Sequence, residues 1–170
     1  MSRNLVFIGL VMIVLAGCGG GSGEKAADGW LGFNEGMELA ASSGKPVIID
    51  FYTSWCKWCK VMDRDTFSNP EVKTVLEKDF ITIRINAENR KDKLRFKGKE
   101  YTSVELTRSF KVRGFPSLAY LESDGKIIMV VPGFKKTNVF MPTLRYVTGG
   151  CYKKNVTLDQ YLRNGGECGS

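Results

Sequence analysis

The run Val47-Ile48-Ile49-Asp50-Phe51-Tyr52 delivers the chain, four residues later, to Cys56-Lys57-Trp58-Cys59. A run so nearly continuous in apolar and aromatic residues reads as a strand covered on both faces, the pattern of a central strand in a sheet with helices on either side. A helix through Lys57 to Arg64 then places Cys56 at its N-terminus. Two cysteines separated by two residues, where a strand meets a helix, form a redox signature, because the spacing lets the sulfurs bond and separate easily.

The other elements follow from periodicity. Trp30, Phe33, Met37 and Ala41 recur at helical spacing, and Gly44-Lys45-Pro46 stops that helix. Pro70 after Asn69 opens a helix from Glu71 to about Lys78. Phe80 to Ile85 alternates as a β-branched strand, and Val104 to Phe110 predicts a short helix. The segments Ser117–Leu121 and Lys126–Val131 flank Asp124-Gly125, a hairpin signal. Helices over Thr137–Tyr146 and Leu158–Arg163 end the chain. Helix and parallel-type strand alternate first, and an antiparallel hairpin with a helix comes last. The fold class is therefore α/β, a three-layer α/β/α sandwich with a mixed central sheet. A chain of 170 residues builds one such core, and no internal repeat is visible.

Composition narrows the chemistry. The chain has no histidine, which removes the imidazole base and every zinc site with histidine ligands. Five cysteines carry what remains. Lys and Arg number 25 against 18 Asp and Glu, a net charge of +7, and cations crowd the segment Glu88 to Glu100. That segment reads as a solvated loop or helix face rather than a nucleic-acid surface, which would need a fold to aim its charges. No soluble cofactor motif is present.

At the N-terminus, Arg3 precedes the apolar run Leu5 to Ala16, which the glycine-rich stretch from Gly19 cuts off well short of the roughly 20 residues a spanning helix needs. Leu15-Ala16-Gly17-Cys18 resembles the bacterial lipobox. That resemblance implies a signal peptide over 1–17, acylation of Cys18 as a lipid anchor in the bilayer, and a flexible tether over 18–29. The alternative is a cleaved secretory signal with an incidental Cys18. Either way the folded part, 30–170, faces an extracytoplasmic space of the bacterial envelope where disulfides persist.

Two further segments bring in a family. Ile49-Asp50-Phe51-Tyr52-Thr53-Ser54-Trp55-Cys56-Lys57-Trp58-Cys59 resembles the active-site strand and loop of the thioredoxin family. Val112-Arg113-Gly114-Phe115-Pro116-Ser117-Leu118 resembles its cis-proline segment, and Gly133 its closing glycine. The likeness covers roughly Phe33 to Val147 and implies a thioredoxin fold. Cys59-Lys60 followed by Asp65-Thr66-Phe67-Ser68-Asn69-Pro70-Glu71-Val72 is similar to the periplasmic thioredoxin-like domain of the membrane thiol:disulfide interchange reductase. The chain departs from ordinary thioredoxin in Lys57-Trp58 between the cysteines and in the charged insertion at 88–100.

The helix N-terminus favours the Cys56 thiolate, so Cys56 is the expected nucleophile; Cys59, deeper and less exposed, resolves the mixed disulfide. By resemblance, Asp50 is a buried general acid/base toward Cys59, and burial favours its protonated form. A strand-end aspartate with an ordinary partner is the plainer reading of Asp50. The resemblance also implies that Pro116 is cis and presents the Phe115 backbone to a substrate strand. Trp55, Lys57 and Trp58 complete the expected substrate rim, although tryptophans more often pack than recognise.

Cys151 and Cys168 are too distant in sequence to complete a four-ligand zinc site with the C-x-x-C pair, and no metal is expected. They read as a structural disulfide pinning the extension 148–170, with a second redox pair as the alternative. The leading functional expectation is a monomeric, membrane-anchored reductase of protein disulfides, recharged by a membrane-embedded electron donor and without nucleic-acid partners. An oxidant or isomerase, and a binding module without turnover, are the competing readings.

Overall fold

The computed structural model describes residues 29–169. The signal segment, Cys18 and residues 18–28 of the expected tether lie outside the described residues.

Helix α1 (Phe33–Ser43) leads into β1 (Val47–Tyr52). Gly44 closes α1 in the left-handed conformation and donates back to the Ala40 carbonyl. After β1 come α2 (Lys57–Met62), a π-helical turn (Asp63–Phe67), α3 (Pro70–Asp79) and β2 (Ile81–Asn86). Asn69 caps α3, its side chain accepting from the N–H groups of Glu71 and Val72. A short hairpin, β3 (Leu94–Phe96) and β4 (Lys99–Tyr101), precedes α4 (Ser103–Ser109). Strands β5 (Ser117–Leu121) and β6 (Ile127–Pro132) then lead to α5 (Thr137–Thr148), a 3-10 turn at Cys151–Lys154, and α6 (Leu158–Arg163).

The main sheet has the order β2-β1-β5-β6, with β1 parallel to β2 and the other pairs antiparallel. Alternation along β1 sorts its side chains. Val47, Ile49 and Phe51 join one core with Phe33, Ala40, Leu106 and Phe110, while Ile48 joins a second with Met62, Val72, Leu76, Phe140 and Leu144. Two apolar layers on opposite sheet faces make the expected α/β/α sandwich. Among the described residues no helix is long and apolar enough to cross a membrane.

Three expectations need correction. The segment 88–100 is neither a plain loop nor a helix face. Leu94 and Phe96 alternate inward with Arg95 outward, and Lys97 and Gly98, both at positive φ, make the two-residue turn a hairpin demands. Both apolar side chains are buried, and Phe96 packs its ring on Phe33 and Phe110. The cysteine-bearing helix does not run as one α-helix to Arg64: it passes into the π-helical turn after Met62, which buries Thr66 and Phe67. The Thr66 hydroxyl there donates to the Lys135 carbonyl at 2.7 Å. Finally, α5 extends past Tyr146 to Thr148, with Pro142 inside it, and the unexpected 3-10 turn follows.

Candidate active site

Strand β1 ends at Tyr52, and the loop Thr53–Trp55 turns the chain into α2, so the two cysteines stand at the C-terminal edge of the sheet. Cys56 is the N-cap of α2, and its Sγ accepts the Cys59 backbone N–H at 3.1 Å. A sulfur in that place receives both an orphan helix N–H and the positive end of the helix dipole, which stabilise a thiolate. Cys56 and Cys59 are joined as a disulfide, their Cα atoms 5.3 Å apart. Cys59 is not the more buried of the two: each is 4% exposed in the bonded form.

Asp50 is 1% exposed and meets a cation from the neighbouring strand. The parallel register sets Asp50 opposite Arg84, whose Nε donates to Asp50 Oδ2 at 3.0 Å. The same guanidinium donates to Asp63, which ends α2 four residues after Cys59. Arg84 thus ties the buried carboxylate of β1 to the helix that carries the cysteines. Its guanidinium carbon also lies 5.0 Å from the Trp30 ring centroid, 5.3 Å from Tyr52 and 5.9 Å from Phe67. The Asp50 and Asp63 carboxylates hold the Arg84 pKa above its ordinary value, outweighing the opposing effect of burial.

The Phe115–Pro116 peptide bond is cis, and the Pro116 carbonyl accepts the Gly133 N–H at 2.8 Å. Neither the N–H nor the carbonyl of Phe115 makes a backbone hydrogen bond among the described residues. Trp55 is 67% exposed; its indole N–H donates to Glu88 Oε1 at 2.8 Å, and its ring stands edge-on to Phe115 at 6.3 Å. Trp58 is 55% exposed and stacks on Phe134 at 5.6 Å. Lys57 is exposed between them.

The structure therefore gathers Cys56, Cys59, Trp55, Lys57, Trp58, Phe115 and Pro116 at one end of the sheet, with Asp50 buried on the central strand. Cys151 and Cys168 are joined at the end of α5, their Cα atoms 5.0 Å apart, in the core layer that also holds Ile48 and Met62. No group of His, Cys, Asp and Glu able to hold a metal occurs among the described residues.

Sequence reasoning missed Arg84, Asp63, Glu88 and Phe134. Arg84 left a signal, a lone cation in the alternating strand Ile81-Thr82-Ile83-Arg84-Ile85-Asn86 beside a strand with a lone acid. Asp63 left another, an acid one helical turn beyond Cys59. Glu88 and Phe134 left none, because their partners are 33 and 76 residues away.

The model of the thioredoxin-like domain matches residues 33–148. The chain is 28% identical over 127 residues to the thiol:disulfide interchange protein DsbD of Ralstonia nicotianae, covering 73% of this chain and 19% of that protein. It is 33% identical over 89 residues to DsbD of Salmonella typhi, covering 52% of this chain and 14% of that one. The chain thus spans at most about a fifth of these relatives' length. Among solved structures, the reduced C-terminal domain of Neisseria meningitidis DsbD aligns with TM-score 0.50 at 26% identity, over 65% of this chain and 89% of that one. A thioredoxin from Thermus thermophilus aligns with TM-score 0.58 at 24% identity, over 72% of this chain and 90% of that one, a likeness of fold. With the family model covering well over half of its length, and the C-x-x-C pair and cis-proline in their places, this chain belongs to the thioredoxin-like family.

Proposed function

We propose that this chain is a thiol:disulfide oxidoreductase of the bacterial cell envelope that reduces disulfides of other proteins. The observation that carries the exchange chemistry is the N-cap geometry of Cys56, whose sulfur already accepts the Cys59 N–H in the oxidised pair; the reducing direction rests on Trp58 between the cysteines, where strong oxidants place a further thiolate-stabilising group. In the reduced pair the same donor favours the Cys56 thiolate. That thiolate attacks one sulfur of a substrate disulfide; the substrate S–S bond breaks, and the departing thiolate takes a proton. Cys59 loses its proton, with Asp50 as the acceptor inside the fold, and attacks Cys56 Sγ. The mixed disulfide breaks, the substrate leaves as a dithiol, and Cys56 and Cys59 are oxidised by two electrons.

During the first attack the free peptide groups of Phe115 pair with the substrate backbone, while the exposed side chains of Trp55, Lys57 and Trp58 border Cys56. The pair is then recharged by a membrane-embedded dithiol donor, a reading supported by the similarity to thiol:disulfide interchange proteins. The sequence around Cys18 supports attachment to the membrane by a lipid, with the domain facing the periplasm or cell exterior as a monomer, and no cofactor enters the scheme. Cys151–Cys168 is assigned a structural role, tying the extension 148–170 to the domain.

One observation favours the opposite direction. The exposed Lys57 beside Cys56 adds positive charge that stabilises the thiolate, as an oxidant or isomerase requires. Equilibrating the full chain in graded thiol/disulfide buffers decides between them. A reduction potential of the Cys56–Cys59 pair below about −220 mV supports the reductase, and one above about −150 mV selects the oxidant or isomerase. The Cys59→Ser variant accumulates a mixed disulfide with its substrate; a binding module without turnover accumulates none.

A further inference from the structure

The two most exposed large apolar side chains among the described residues, Trp55 and Trp58, flank the same sulfur, Cys56. Neither ring swings free. Glu88 and Phe115 hold Trp55, and Phe134 backs Trp58, so their exposed surface is presented already ordered. Beside Trp58 lies a cleft of about 440 Å³ whose apolar walls are Trp58, Val61 and Phe134 and whose rim includes Lys136 and Asp65. Held aromatic surface of this kind is characteristic of the centre of a binding patch rather than of ordinary exposed surface.

The charges around this patch are one-sided. Of the acids beside it, Asp63 is paired with Arg84 and Asp65, at the cleft itself, with Arg64, while Glu88 accepts from Trp55 and the Ser54 N–H and hydroxyl and keeps its single charge against the four free cations that follow. The exposed cations Lys57, Lys60, Arg113 and Lys136 make no ion pair with any described residue. Lys57 and Lys60 belong to the cysteine helix itself, Arg113 stands two residues before Phe115, and Lys136 two after Phe134. Lys135 differs from them: half-buried, it donates to the Pro132 and Gly133 carbonyls of its own loop.

We propose that this face selects a protein partner whose cysteine lies in an extended, acidic segment, with one apolar side chain of that segment seated in the cleft beside the stacked rings of Trp58 and Phe134. The proposal rests on the thiol–disulfide exchange reading above and names its substrate class. A second copy of the chain fits poorly, because it would oppose cation to cation. The positive rim acts mainly on encounter, within the roughly 8 Å over which charges are felt at physiological salt, and the aromatic cleft acts on residence.

The test uses the reduced full chain and three peptides of one length. Each carries a single cysteine as the mixed disulfide with 2-mercaptoethanol, one leucine near it, and Glu, Gln or Lys at the same positions at least two residues from the cysteine. Each exchange rate is divided by that of the same peptide with free 2-mercaptoethanol, which removes differences in leaving-group chemistry. Bis(2-hydroxyethyl) disulfide serves as the uncharged substrate.

The expected order is Glu above Gln above Lys, spanning at least about tenfold at low ionic strength and narrowing with salt. In the double variant Arg113→Glu, Lys136→Glu the span collapses or reverses. Equal normalised rates, or an unchanged span in that variant, overturn the acidic-partner proposal while the exchange reading stands. No reaction with bis(2-hydroxyethyl) disulfide overturns both. Equal peptide rates together with quenching of tryptophan emission by brominated phosphatidylglycerol vesicles assign the face to a lipid surface, and exchange lost through self-association assigns it to a second copy; either result overturns the proposal.

Discussion

Arg84 on β2 donates from Nε to Asp50 Oδ2 at 3.0 Å, across the parallel register that sets the two residues side by side. The pair is buried unevenly, with the Arg84 side chain 16% and the Asp50 side chain 1% exposed. Replacing Arg84 by Met strips the cation from a carboxylate with almost no access to water, and the expected loss of stability is about 3–5 kcal/mol. Arg84→Lys loses less, yet cannot reproduce the fork that also reaches Asp63. Urea unfolding of the two variants and of the double variant Arg84→Met, Asp50→Asn checks this. The double variant recovers stability relative to Arg84→Met, and an Arg84→Met protein as stable as the parent refutes the coupling.

Glu88 holds Trp55 from a different loop. In Glu88→Ala the indole loses its acceptor and the Ser54 N–H its partner, while both stay in reach of water. The expected loss of stability is therefore only about 1 kcal/mol. The functional effect is larger on KM for a peptide disulfide than on kcat, because an unheld ring is ordered anew at each encounter. Steady-state kinetics and the anisotropy of tryptophan emission report the two effects separately.

Gly36 is where α1 crosses β2. A Cβ there would stand 2.6 Å from Ile83 Cδ1, and Ile83 is fully buried. Alanine at this position gains about 1 kcal/mol of helix propensity and meets an overpacking cost of about 1–3 kcal/mol. Gly36→Ala is expected to be net destabilised, and the same substitution costs less in an Ile83→Ala background, which lacks both Cγ1 and Cδ1. Thermal unfolding of the single and double variants measures the sign.

The Cys151–Cys168 bond closes a loop across 17 positions of sequence around a cluster in which the Tyr146 hydroxyl donates to the Val156 carbonyl at 2.7 Å and the Tyr146 and Tyr161 rings lie 5.4 Å apart. Cys151→Ala with Cys168→Ala is expected to cost about 3 kcal/mol through the freedom returned to the unfolded chain. The potential of the Cys56–Cys59 pair stays where it was. A shift in that potential would mean that the extension is coupled structurally to the Cys56–Cys59 site.

Helix α4 is capped by Thr102, whose hydroxyl receives the Glu105 N–H while the Glu105 carboxylate receives the Thr102 N–H at 2.8 Å and hydroxyl at 3.0 Å. These donors lower the Glu105 pKa from its ordinary 4.5. A carboxyl more acidic in the folded than in the unfolded chain adds stability above the unfolded pKa, and that stability is lost as pH falls through the lower folded value. Carbon-detected NMR titration of Glu105 is expected to give a midpoint below 4.5, and Thr102→Ala to move it upward. A midpoint at 4.5 or higher contradicts the capping geometry.

The parts of the fold legible in sequence are those written locally. The apolar run of β1, the Asp-Gly hairpin, the Asn-Pro helix start and the spacing of Cys56 and Cys59 each lie within a few residues. The β3–β4 hairpin was hidden because four cations from Lys93 to Lys99 masked Leu94 and Phe96, the two residues that set its inward face. The π-helical turn was hidden for another reason: nothing in Asp63–Phe67 favours it locally, and its supports, Lys135 for Thr66 and Trp30 for Phe67, come from distant chain. Half of the site was legible likewise. Cys56, Asp50 and Pro116 sit in short motifs, whereas Arg84 and Glu88 act only through register and loop closure.

Leu31 pairs with Ile83 just ahead of α1, donating to the Thr82 carbonyl at 2.9 Å and accepting the Arg84 N–H at 3.1 Å. That short bridge caps the outer edge of β2, so among the described strands the open edge of the main sheet is β6. There Pro132 offers no N–H and Lys126 brings a charge, which limits any strand added by another molecule to the few residues between them. The consequence is a sheet protected against edge-to-edge aggregation, with little open strand for another chain to extend.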